Sequence, residues 1–255
     1  MMPARHRFLL WTLRVLICLA VVTAAGPSPA EQDAAAKLYE AGMRVPPMQF
    51  FVASGADDAC GKDCNRWIAA EGRITPDTVA GLERLLDRMG SEKLPIFFHS
   101  PGGLGYQGMA LGRLLRQRGL TVGVGATVPA HCAWPILDLC LKIAREHPDI
   151  DAKIQSTGAF CNSACVYALV GGITRVVEWH VVLRVHSAYY PEQTGQSEAA
   201  RRRFERVVQS YLAEMGIGPG LFKMIAATKY ESPTYLTRSE MLEFRIISPE
   251  SAKSG

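Results

Sequence analysis

Cys161-Asn162-Ser163-Ala164-Cys165-Val166-Tyr167-Ala168-Leu169-Val170-Gly171-Gly172 is a short polar segment opening an apolar, helix-length run that a double glycine closes. Ser163 falls at or beside the N-terminus of that helix. There the first backbone N–H groups lack intrahelical acceptors and the helix dipole is positive, so developing negative charge is stabilised. A serine in this setting has two readings. It caps the helix with its side-chain oxygen, or, given a base and an oxyanion site, it attacks a carbonyl carbon.

Two other segments bear on that choice. His186 follows Ser163 by 23 residues and ends an apolar run, Val181 to Val185, that reads as a strand. Upstream, Leu94-Pro95-Ile96-Phe97-Phe98-His99-Ser100 reads as a buried strand. It turns at Pro101-Gly102-Gly103 and continues as a helix from about Gly105 to Arg118. Strand, glycine-rich turn and helix in succession mark an α/β crossover, where backbone polar groups gather at the turn. Glycine at 102 and 103 also suits a tight turn in its own right. His99 and His131 are rival bases, His99 because it precedes the glycine turn.

The remaining pattern fits one α/β domain. Met48 to Val52 and Trp67 to Ile74 read as strands, the second broken at Gly72. Thr75-Pro76-Asp77 predicts a helix start with Thr75 as its cap. Val79, Leu82, Leu85, Leu86 and Met89 then recur on one face. Strands are expected at 121–126 and 174–177, and helices at 197–215 and 221–227. Thr237-Arg238-Ser239-Glu240 predicts a capping box opening a last helix through Phe244. Residues 128–159 carry two cysteines and a helix-like stretch at 136–146, and read as an insertion.

At 255 residues, 48% apolar and 20% charged, the chain is long enough for a substantial core. A net charge of +4 gives no basis for nucleic-acid binding, and Arg201-Arg202-Arg203 reads as a solvated helix face. Residues 1–30 have the form of a signal peptide. Arg5 and Arg7 precede an apolar run of about 11 residues, Val15 to Ala25, and small residues follow it. The expectation is export to the periplasm or a similar compartment. An uncleaved N-terminal membrane anchor is the minor alternative. Residues 31–47 read as a linker.

Cysteine usage agrees with export. Six cysteines remain beyond the leader: Cys60, Cys64, Cys132, Cys140, Cys161 and Cys165. Pairing is expected locally, Cys60 with Cys64 and Cys132 with Cys140. Cys161 and Cys165 bracket Ser163 and are a third candidate pair, which would be strained were both inside one regular helix. The spacing is loose for zinc and no histidine sits at finger spacing, so no metal site is expected.

The order of these segments resembles the Clp protease and crotonase superfamily, and within it the proteolytic subunit of Clp. The likeness rests on Ser100-Pro101-Gly102-Gly103 after a strand, the Gly108-Met109-Ala110-Leu111 run and Ser163 opening a small-apolar helix. Arg175 with the strand into Val185-His186, and Tyr235-Leu236-Thr237-Arg238-Ser239-Glu240, complete it. It covers about residues 48–247. It implies stacked ββα units with a mostly parallel sheet flanked by helices, over 48–250. It further implies Ser163 as nucleophile, His186 as base, and an oxyanion hole from the N–H groups of Gly103 and Ala164. A peptide or protein substrate, no cofactor and a homo-oligomer follow from the same resemblance.

The chain departs from the family where an aspartate should precede Tyr235. Pro233 stands there, beside Ser232 and Thr234. Glu231, a serine or a backbone carbonyl is left to orient His186, and loss of the carboxylate predicts severely impaired catalysis. A binding or scaffold protein on the same fold is therefore the alternative reading. An acyl-thioester enzyme of crotonase type, and a Ser-Lys mechanism using Lys142 or Lys153, are weaker ones.

Overall fold

A computed structural model describes residues 45–130, 149–189 and 195–248. The leader, most of the linker, His131, Cys132, Cys140, Lys142 and the helix expected at 136–146 lie outside the described residues.

The chain is mixed α/β. Strands β1 (Gln49–Ser54) and β2 (Arg66–Glu71) form an antiparallel pair. Helix α1 (Thr78–Met89) leads to β3 (Ile96–His99), and α2 (Gly105–Arg118) leads to β4 (Thr121–Val124). Strands β5 (Ala126–Pro129), β6 (Asp149–Gln155) and β7 (Phe160–Asn162) follow, then α3 (Ala164–Val170), β8 (Thr174–Val176) and β9 (Val182–Val185). The chain continues through α4 (Gly195–Glu214), α5 (Pro219–Ala227), β10 (Thr234–Tyr235) and α6 (Arg238–Glu243).

Seven strands make the main sheet in the order β5-β6-β1-β2-β3-β4-β8, and β10-β9-β7 make a second. The steps β6-β1, β2-β3, β3-β4 and β4-β8 are parallel, and helices flank the sheet. Strand alternation explains why the central strands read as continuously apolar. Ile68, Ala70, Ile96, Phe98 and Val122 face the large core shared with the helices. Trp67, Ala69 and Phe97 face a smaller cluster with Phe51, Ala53 and Ala152.

Three expectations need correction. Helix α1 starts after Thr75, with Asp77 at its cap position, and the Thr75 N–H donates to the Thr78 Oγ1 at 2.8 Å. Both ends of the span read as an insertion are strands of the main sheet: β5 and β6 pair antiparallel, and β6 runs parallel beside β1. Residues 160–162, the end of the path into Ser163, form the further strand β7.

Close packing of α2 on α3 aligns the glycine turn with the Ser163 helix. Gly108 permits it, because a Cβ there would collide with the Ala164 carbonyl oxygen. The Tyr211 hydroxyl, from α4, then donates to the Tyr167 carbonyl at 2.6 Å and ties α3 to the long helix.

Candidate active site

Ser163 occupies the sharp turn between β7 and α3. Its backbone lies at φ 53°, ψ −120°, a conformation that a non-glycine residue adopts only when its surroundings force it. Such a strained strand-to-helix turn projects a serine hydroxyl outward. The side chain makes no capping hydrogen bond, so the helix-cap reading of this serine does not hold. The turn is held from outside: the Ser163 N–H donates to the Arg184 carbonyl at 2.8 Å and its carbonyl accepts from Val166 N–H at 3.0 Å. Asn162 N–H donates to the Ser100 carbonyl, and Ser100 N–H to the Phe160 carbonyl.

A disulfide joins Cys161 and Cys165 across the turn, and both residues are fully buried. Cys161 lies on β7 and only Cys165 on the helix, so the geometry of a pair within one helix never arises. Cys60 and Cys64 form a second disulfide in the loop before β2. All four sulfurs are therefore spent, which removes them as zinc ligands.

The glycine turn lies against the serine. Gly102 and Gly103 have φ of 94° and 143°. A Cβ on Gly102 would lie 2.8 Å from the Ser163 Cβ and 3.0 Å from the Ala164 nitrogen. Ile74 N–H donates to the Gly102 carbonyl at 2.8 Å, and Leu104 N–H to the Ile74 carbonyl at 3.1 Å, which clamps the turn from its far side. Gly102 N–H is taken by the Ser100 hydroxyl. The N–H groups of Gly103 and Ala164 are donated to no backbone acceptor among the described residues. Ala164 is the first residue of α3, where an orphan donor is the rule.

His186 immediately follows β9. Strands β7 and β9 are parallel with Asn162 opposite Arg184, so Ser163 and His186 both emerge at the carboxyl ends of adjacent strands. Ligand sites in α/β sheets form at such ends. The His186 Nδ1 lies 2.7 Å from the Ser187 carbonyl oxygen. A carbonyl only accepts, so the contact puts the proton on Nδ1 and leaves the Nε2 lone pair open as a base. The Tyr230 ring packs edge-on against the imidazole with centroids 4.9 Å apart.

Of the three orienting groups left open by the sequence, the structure supplies the backbone carbonyl. Glu231 is exposed and no hydrogen bond joins it to His186 among the described residues. The rival His99 is engaged elsewhere. Its Nδ1 accepts from Phe160 N–H at 3.3 Å, its ring packs on Phe160, and burial pushes its pKa down to about 4. Lys153 is exposed on β6.

Three buried polar residues near these elements escaped the sequence reading. Glu71 ends β2 opposite His99, accepts the Thr127 N–H at 2.6 Å, and is driven by burial up to about 8. Asn162 and Arg184 are buried on the strands that deliver Ser163 and His186. For Asn162 and Arg184 a signal was present: a polar residue interrupting a short apolar run.

The chain matches no protein-family model and no curated protein. Two solved structures of the 1510-N membrane-bound stomatin-specific protease are similar to it, both of mutants and one in complex with a substrate peptide. Each covers 77% of this chain at 14% identity and a TM-score of 0.44, and 76% or 72% of the other chain. A likeness that distant assigns no activity here. Among the described residues, no helix is long and apolar enough to cross a membrane.

Proposed function

We propose that this protein is an exported serine hydrolase that cleaves peptide bonds. The observation that carries the proposal is the backbone of Ser163, held at φ 53° with its hydroxyl uncommitted to a cap, against the glycine turn. His186 Nε2 accepts the Ser163 proton as the oxygen attacks the substrate carbonyl. The tetrahedral oxyanion is held by the N–H groups of Gly103 and Ala164. His186 returns the proton to the leaving amine, and water then hydrolyses the acyl-enzyme. The leader-like residues 1–30 and the two disulfides support export, because disulfides persist in oxidising compartments. The likeness to Clp subunits supports a homo-oligomer.

A second reading is a binding protein with weak or lost catalysis. It is favoured by one observation: His186 is oriented by a carbonyl and not by a carboxylate. Labelling of the oxidised mature protein with a fluorophosphonate probe separates the two. The hydrolase reading expects labelling that disappears in Ser163→Ala and falls by about a hundredfold or more in His186→Ala. A folded protein that takes up no probe counts against the hydrolase reading and favours the binding one.

A further inference from the structure

We infer that Arg184 and Asn162 form a subsite for a carboxylate of the substrate. The inference rests on the peptidase reading, since it places this subsite beside Ser163. Arg184 is the buried arginine of the described residues, 8% exposed, and Asn162 is 7% exposed. A guanidinium stays charged, and a buried charge without a partner is costly. Other partly buried arginines meet that demand with carbonyl oxygens. Arg116 donates to Gly171 and Val170, and Arg175 donates to Ile246 and Gly172.

Arg184 differs. Its guanidinium lies 4.6 Å from the centre of the Tyr235 ring, a favourable face contact that supplies no hydrogen-bond acceptor. No carboxylate forms an ion pair with it among the described residues, and its Nε has no hydrogen-bond partner. The Oδ1 of Asn162, its register partner on β7, is likewise buried without a partner. Turning the Asn162 amide over, a change that exchanges two nearly isosteric groups, puts an N–H donor in that place. Register partners on the strands that lead into Ser163 and His186 then carry unpartnered buried donors side by side. A carboxylate is the ligand that accepts from both and neutralises the guanidinium.

Two sources carry this group on a peptide: an acidic side chain and the C-terminal carboxylate. Binding to the Ser163→Ala protein needs no catalysis, so it tests the subsite even if fluorophosphonate labelling fails. Four fluorescent peptides are compared by anisotropy, containing Glu or Gln and ending in a free acid or an amide. The expected result is a preference of about tenfold for one carboxylate source over its neutral counterpart. That preference should vanish in Ser163→Ala/Arg184→Met and survive, reduced, in Ser163→Ala/Arg184→Lys. Equal binding of all four peptides, or a preference unchanged by Arg184→Met, overturns the inference. Glutarate against its diamide, read as the melting temperature of Ser163→Ala, decides the matter should the methionine variant not fold. A rise with the diacid alone supports the subsite, and no difference overturns it.

Discussion

Glu71, buried, and His99, half-buried, give this protein opposed pH dependences. The Glu71 carboxyl is raised to about 8 by burial, and the His99 imidazole is lowered to about 4 by the same cause. A group whose folded pKa is raised holds its proton after the unfolded chain has released it. The contribution of Glu71 is therefore full below about 4.5 and lost as pH rises toward 8, at roughly 1.4 kcal/mol per pH unit at most. His99 has the opposite sign: its contribution is present above 6.5 and lost as pH falls toward 4. Between 4.5 and 6.5 the two slopes cancel, and between 6.5 and 8 only the loss from Glu71 remains. Glu71→Gln keeps an oxygen for the Thr127 N–H and removes the titration. Urea unfolding across pH should show wild type weakening from pH 6.5 to 8 while Glu71→Gln stays level. Parallel curves for the two proteins would contradict the assignment. Nothing in the sequence announced Glu71, which lies in a run read only as strand. Its burial comes from Thr127 on β5, a contact 56 residues away.

At the scale of elements, the helices and most strands were legible, the three-residue β8 among them, whereas β7 and β10 were not. Helix α2 spans Gly105–Arg118 as expected after the glycine turn, and the Thr237–Glu240 capping box forms as read. Strands β7 and β10, of three and two residues, are too short to show a period, and tertiary pairing alone makes them strands. They are also the elements that build the candidate site. Strand β10 lies antiparallel to β9 with Thr234 opposite Val185, so Pro233 and His186 are the residues that flank that end of the ladder. The resemblance to the Clp subunit implies a carboxylate at this position, where this chain has Pro233. Pro233 is exposed, so replacing it disturbs no core packing. Pro233→Asp should offer His186 a carboxylate, stabilise the imidazolium formed during attack, and raise the probe-labelling rate about tenfold or more. An unchanged rate in a folded variant would mean that the Ser187 carbonyl already orients the ring sufficiently.

Over the whole molecule, the α/β class was readable from the order of strand, turn and helix. The sheet order was not. Strand β6 sits between β1 and β5, and the Trp67 indole N–H donates to the Thr127 hydroxyl, pairings between residues far apart in sequence that no local pattern encodes. The two disulfides sit differently in this architecture, and their reduction reports on it. Cys60 and Cys64 are partly exposed in a surface loop, whereas Cys161 and Cys165 are wholly enclosed by the main core. Reduction requires attack by a thiolate on a sulfur, with two electrons passing from a dithiol such as dithiothreitol, which becomes a cyclic disulfide as two cysteine thiols form. Access then sets the order. Dithiothreitol acting on the native protein should open Cys60–Cys64 first, leaving fluorophosphonate labelling of Ser163 nearly unchanged. Cys161–Cys165 should open only as fast as the fold itself opens, and labelling should disappear with it, because the turn at Ser163 loses its covalent brace. Alkylation of the freed thiols followed by peptide mass spectrometry reads both steps. Opening of Cys161–Cys165 in a protein that stays folded and keeps its labelling would show that the hydrogen bonds of Asn162 N–H to the Ser100 carbonyl and of Ser163 N–H to the Arg184 carbonyl hold the turn without the sulfur bridge.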